Sequence, residues 1–153
     1  MTASKSTPYL KYAVFCRDTE EGPDADLSLK GILDLIEFPT PEEAPGPGQP
    51  VLAEVDVNLA FCIAGAAPGP HHLLVAIKAP GIPLEPPPPQ RIDWAEGILF
   101  QRWIKVYRIP VQRTGLHVAA ILLDGTPLGQ ASFLVRFKDP DNLTQPTGSE
   151  PPA

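Results

Sequence analysis

The sequence predicts an all-β fold: an antiparallel β-sandwich of immunoglobulin- or C2-like type, with about seven to nine strands. Three observations carry that expectation. Proline is abundant, at 21 of 153 residues, and inside a helix it removes a hydrogen bond and clashes with the preceding turn. Apolar residues alternate with polar ones in several short runs, which marks strands with one face in a core. Turn residues punctuate these runs, and the one helix-like stretch, "DWAEGILF", is short and interrupted by Gly97.

The elements follow in chain order. Residues 1–8 are small and polar and read as a flexible N-terminus. The sandwich domain is expected over 9–138, and the polar, Pro-rich segment 139–153 reads as a disordered or loosely ordered tail. A first strand spans about Leu10 to Arg17. An acidic turn, "TEEGPDAD", leads into "LSLKGILDLIEF". There Leu27, Leu29, Leu33 and Leu35 share one phase while Ile32 and Ile36 fall on the other, which suits one strand covered on both faces. Pro39 to Pro50 is a linker without periodicity. "VLAEVDVNLAFCI" is the clearest strand: Val55, Val57, Leu59, Phe61 and Ile63 alternate with Glu54, Asp56 and Asn58. Cys62 falls on its polar phase and is expected to be less buried than Cys16. "HHLLVAIKAP" is a fourth strand, and "GIPLEPPPPQ" a stiff connection with polyproline character. "ILFQRWIKVYRIPV" is a fifth strand bent at Pro110. "GLHVAAILLDG" and "PLGQASFLVRF" are the sixth and seventh, joined at Asp124-Gly125, a tight-turn signal.

Composition narrows the function classes. A chain of 153 residues fits one domain large enough to need no staple. The net charge of −6 and the lack of a local basic cluster argue against nonspecific binding to nucleic acid or to a membrane surface. The start, "MTASKSTPYLKYAVFC", lacks the apolar core of a secretion signal, and no apolar run is long enough to span a bilayer. A cytoplasmic location is therefore expected, with Cys16 and Cys62 as free thiols.

Candidate chemistry is sparse. Two phrases, "GPHHLLVAIKAPGIPL" and "GLHVAAILLDGTPL", share a Gly-x-His start and a Gly-x-Pro-Leu close, and they hold all three histidines. His71 and His72 point to opposite faces of a strand, so at most one of them joins a given site. A metal reading therefore needs His72 and His117 to meet across the sandwich. The bland reading makes each histidine the residue that starts a strand after a Gly turn, with one ring nitrogen on the backbone. Asp18, Glu20, Asp24 and Asp26 supply oxygens but not the order of a calcium loop, and Glu42-Glu43 reads as solvated charge. Pro86, Pro89 and Arg91 fit a Pro-x-x-Pro-x-Arg spacing, more simply read as a rigid connector. Neither a Gly-x-Ser-x-Gly elbow nor a phosphate-binding Gly loop occurs, so no catalytic residue and no cofactor is assigned. Trp94, Trp103 and Tyr107 cluster around the fifth strand, as core packing or as an aromatic contact surface.

The run from "YAVFCRD" through "LSLKGILDLI" to "TGLHVAAILLDGTPLGQASFLVRF" resembles a family of small bacterial proteins of unknown function. Its members open on an aromatic-Cys-Asp strand and close on a Gly-x-Tyr/His hairpin. The likeness covers roughly residues 9–137, and Arg17 intervenes here between Cys16 and Asp18. It implies a β-sandwich in a bacterial cytoplasm and no particular activity. The leading functional expectation is a non-enzymatic interaction or accessory module whose partner is another protein or a second copy, with no nucleic acid and no membrane. The rival is a ligand- or metal-binding sandwich that uses its end loops and histidines.

Overall fold

The computed structural model describes residues 7–39 and 53–138. The linker expected between Pro39 and Pro50, the tail over 139–153 and most of the N-terminal segment lie outside those residues. The described chain is all-β, with nine strands in two sheets. They are β1 (Tyr9–Glu21), β2 (Leu27–Ile32), β3 (Leu35–Pro39), β4 (Ala53–Ala64), β5 (Gly69–Lys78), β6 (Gln90–Trp94), β7 (Phe100–Val111), β8 (Gly115–Leu123) and β9 (Thr126–Lys138). The first sheet has the order β2-β1-β4-β7 and the second β3-β9-β8-β5-β6.

The core forms where the inward phases of the two sheets meet. Val55, Val57, Leu59, Phe61 and Ile63 of β4 are all buried, as their alternation predicts. They face Leu73 and Val75 of β5, Ala119, Ile121 and Leu123 of β8, and Ala131, Phe133 and Val135 of β9 within one cluster. Phe15 of β1 meets Phe133 edge-on at 5.1 Å between centroids, tying the sheets together. Each large side chain fully buried here contributes about 1.5–3 kcal/mol.

Three sequence expectations are corrected. The single strand read in "LSLKGILDLIEF" is two strands in different sheets. The hand-over takes two residues: Leu33 N donates to Phe15 O in the first sheet, and Asp34 O accepts from Leu134 N in the second. Gly31, at φ 67°, provides the twist before it. The apolar residues on both phases record this change of sheet rather than cover on both faces. Pairing is also not antiparallel throughout, because β3 arrives beside β9 running in the same direction. Finally, the stretch around "DWAEGILF", read as at most a helical turn, holds a strand. Its first residues finish the short strand β6, which the sequence reading missed, and Ile98 N closes a turn on Ala95 O.

Strand β1 changes partner along its length. Its first part, Tyr9 to Cys16, pairs with β4, and its last part, Cys16 to Glu21, pairs with β2. Adjacent residues Phe15 and Cys16 are both buried, which an open sheet face does not allow. The reason is that the far half of the β1–β2 hairpin folds back over the outer face of its own sheet. A straight strand would carry Glu21 about 30 Å beyond Tyr12. Instead Glu21 and Ala25 both reach Arg102, whose register partner Cys62 is paired with Tyr12.

Candidate functional site

The folded-back hairpin and the outer face of the first sheet enclose a groove of about 410 Å³, lined by Lys11, Tyr12, Val14, Leu27, Leu29, Cys62, Phe100 and Arg102. Strand alternation places these side chains. Tyr12 and Val14 project outward from β1, and Phe100 and Arg102 outward from β7. Leu27 and Leu29 come from the returning arm of the hairpin. Cys62 is the floor. Its phase is polar, but the hairpin and its neighbours cover it, so it is as buried as Cys16, contrary to expectation.

The walls combine cations and rings. The Lys11 ammonium sits 5.1 Å from the centre of the Phe100 ring, which is itself about half exposed. Lys11 has no carboxylate partner among the described residues. The Arg102 guanidinium donates to Ala25 O at 3.3 and 3.4 Å and lies 3.7 Å from Glu21. Burial pushes the Tyr12 phenol up, with Cys62 adding to the shift and Arg102 opposing it. Burial likewise pushes the Cys62 thiol up against the pull of Lys11 and Arg102. A thiol held protonated is a poor nucleophile, so the arrangement suits holding an anionic, flat ligand rather than attacking one.

The residues singled out in the sequence lie elsewhere. His117 is fully buried on β8, stacked on Phe133 at 5.1 Å, with Nδ1 on Gly115 O at 3.1 Å and Nε2 unpartnered. His72 is exposed at the other end of β5, where Leu73 pairs with Leu123. The two histidines are thus about 20 Å apart along neighbouring strands, and the expected metal pair does not form. No group of three metal-binding side chains occurs among the described residues. Glu20 instead pairs with Lys30 at 2.7 Å.

His71 takes the place that the repeated phrase promised. Gly69 and Gly115 adopt nearly the same unusual φ, 125° and 131°. Two residues after each, a histidine bonds a backbone carbonyl: His71 that of Ala67 at 2.6 Å, and His117 that of Gly115. His71 also holds the Asp124 carboxylate at 2.6 Å, and Asp124 accepts a second bond from the His72 backbone N–H. With both ring nitrogens engaged, this His–Asp pair has no face left for proton transfer to a substrate. It is a clamp between the start of β5 and the β8–β9 turn.

The aromatic trio does not form one exposed strip. Trp94 is buried and donates to Ile98 O at 2.9 Å. Trp103 stacks on Phe61 at 5.3 Å, and Tyr107 packs against the core beneath the proline-rich connection. Alternation alone offered one signal for the groove: Tyr12, Val14 and Arg102 all fall on outward phases. The fold-back that turns that face into a groove leaves no local trace.

No protein-family model matches the chain, and no curated protein does either. A solved structure of a Pseudomonas fluorescens alkylpurine DNA glycosylase, AlkC, bound to DNA containing an abasic site analog shares the fold, with a TM-score of 0.50 and 18% identity. The likeness covers 87% of this chain and 31% of that one. At this identity it concerns the fold alone. It corrects two expectations all the same. The reading of a non-enzymatic protein-interaction module gives way, because the chain that shares this fold is a DNA glycosylase, while the metal-binding rival lacks its histidine pair and any cluster of three ligands among the described residues. Partners confined to protein, with nucleic acid excluded, give way for the same reason, since that chain binds DNA. The exclusion rested on net charge and on the lack of a basic cluster along the chain, neither of which registers two cations gathered in one groove from separate strands. No helix among the described residues is long and apolar enough to cross a membrane.

Proposed function

We propose that this domain contacts nucleic acid, receiving an unpaired stretch of strand in the groove beneath the β1–β2 hairpin. One observation carries the reading: Lys11 and Arg102 share a 410 Å³ groove with Tyr12 and Phe100. Proteins that hold single strands combine cations along the phosphate backbone with aromatic rings on which bases stack. The fold shared with a DNA-bound protein supports it. An unpaired strand suits the site better than a duplex, because an acidic chain offers no long basic track for a duplex to lie on. Lys11 rests on Phe100 in the free protein, an exposed contact of about 0.5–1 kcal/mol. A stacking base can therefore displace it towards a phosphate. The residues of the groove account for binding, and no reaction is assigned to them. The same reading treats the two sheets as an immunoglobulin-like sandwich, with the parallel β3–β9 pair closing one edge.

The test is fluorescence anisotropy with a labelled oligothymidylate at low salt, comparing wild type with Phe100→Ala. Losing one stacking ring costs about 1–3 kcal/mol per base, and the half-exposed ring lies outside the buried core cluster. Failure of the wild type to bind, or equal binding by the variant, would overturn the proposal.

A further inference from the structure

We infer that the Glu21 carboxylate holds the place of a phosphate at the rim of the groove, so that an incoming phosphodiester takes the Arg102 guanidinium from both Glu21 and the Ala25 carbonyl and frees the hairpin tip. This rests on the nucleic-acid reading above and assigns a specificity role to a residue outside the groove lining. Arg102 holds the hairpin tip through two hydrogen bonds to Ala25 O and one ion pair to Glu21. The ion pair is loose. Its 3.7 Å separation exceeds the roughly 2.7–2.9 Å of a charge-assisted bond, and the Glu21 side chain is 67% exposed. Exposed pairs of that kind contribute little. A phosphodiester presents two oxygens to the planar guanidinium and binds it in both arms.

The tip is built to be held from one side. Gly22 N closes the turn on Asp26 O at 2.8 Å, and Ala25 stands in the left-handed region at φ 62°. Asp24 and Asp26 add further negative charge. An acidic turn thus lies over the cationic groove and competes with any anion that enters it. Weak anions fail to displace it. A phosphate bearing a stackable base does so, because stacking on Phe100 adds to the exchange at Arg102.

The experiment pairs variants of opposite expected sign. Glu21→Gln keeps the shape and removes the competing charge, and it binds the oligothymidylate about 1.5- to 5-fold more tightly than wild type. Arg102→Ala binds more weakly. Amide exchange across residues 22–30 accelerates in Arg102→Ala without ligand, and in wild type when the oligonucleotide is added. Unchanged or weaker binding by Glu21→Gln overturns the displacement alone and leaves the nucleic-acid reading standing. So does slower exchange of the hairpin in the complex. A wild type that binds no oligonucleotide overturns both.

Discussion

The number of cations in the groove fixes how binding should respond to salt. Two side chains, Lys11 and Arg102, are placed to meet phosphates. Each phosphate neutralised on a single strand contributes about −0.7 to the slope of log affinity against log salt. Two contacts give a slope of about −1.4, so raising salt from about 50 to about 200 mM weakens binding roughly 7-fold. Replacing either cation by alanine halves the slope to about −0.7, and the same change of salt then costs only about 2.6-fold. The double variant binds with almost no salt dependence through stacking alone. Anisotropy titrations at four or five salt concentrations measure all four slopes. A wild-type slope steeper than about −3 would require a longer basic track and another site. A slope untouched by Arg102→Ala would remove that residue from the interface.

Further outcomes concern stability. His71 is raised above 6.5 because the Ala67 carbonyl and the Asp124 carboxylate outweigh the opposing, individually largest effect of burial. Its contribution is therefore full below pH 6.5 and lost as pH rises through the higher folded value. His117 is lowered by burial, with Gly115 O opposing, so its contribution is full above pH 6.5 and lost on acidification. Within the range where the histidines titrate, above the depressed Asp124 carboxylate and below the raised thiols, urea melts of His71→Ala should retain the acid-side loss of His117 and those of His117→Leu the alkaline-side loss of His71; profiles of the same shape in both variants would contradict the assignment. Phe133→Ala, which removes the ring between Phe15 and His117, should cost about 3–5 kcal/mol in urea unfolding. Gly31→Ala places a Cβ 2.8 Å from Arg17 Cγ in a left-handed backbone and should cost about 1–2 kcal/mol. Gly97→Ala meets no neighbouring atom and should cost less; equal losses would show that the contact with Arg17 is immaterial.

Where one strand's pattern reflects one sheet, the sequence was readable. β8, β9 and the first half of β4 alternate cleanly because each has neighbours on both sides and one face in the core, whereas the second half of β4 is covered on both faces. The paired Gly-x-His phrases were also readable as a structural device, in which His71 matches His117, whereas the pairing of His72 with His117 at a metal was not there to be read. The failures share a cause. Leu33 and Asp34 change sheets, and nothing in the spacing of Leu27 to Leu35 distinguishes that from burial on both faces. The β6 strand is five residues long and starts on the end of a proline run, too short for a period to show. The groove depends on a ribbon bending at Phe15–Cys16 and meeting Arg102, 77 residues from Ala25 along the chain. Contacts that distant leave no period behind, and net charge averages away the two cations they gather.

The same bend gives the molecule a chemical indicator of its own. Cys16 lies where the ribbon turns, and Cys62 forms the floor beneath it, both sealed from solvent and both kept as thiols by burial. Among the described residues Cys62 is roofed by the hairpin arm, so alkylation of its sulfur clocks the lifting of that arm. The rate at which a small maleimide reaches Cys62 in native conditions, separated from that at Cys16 by peptide mapping, follows how often the roof is open.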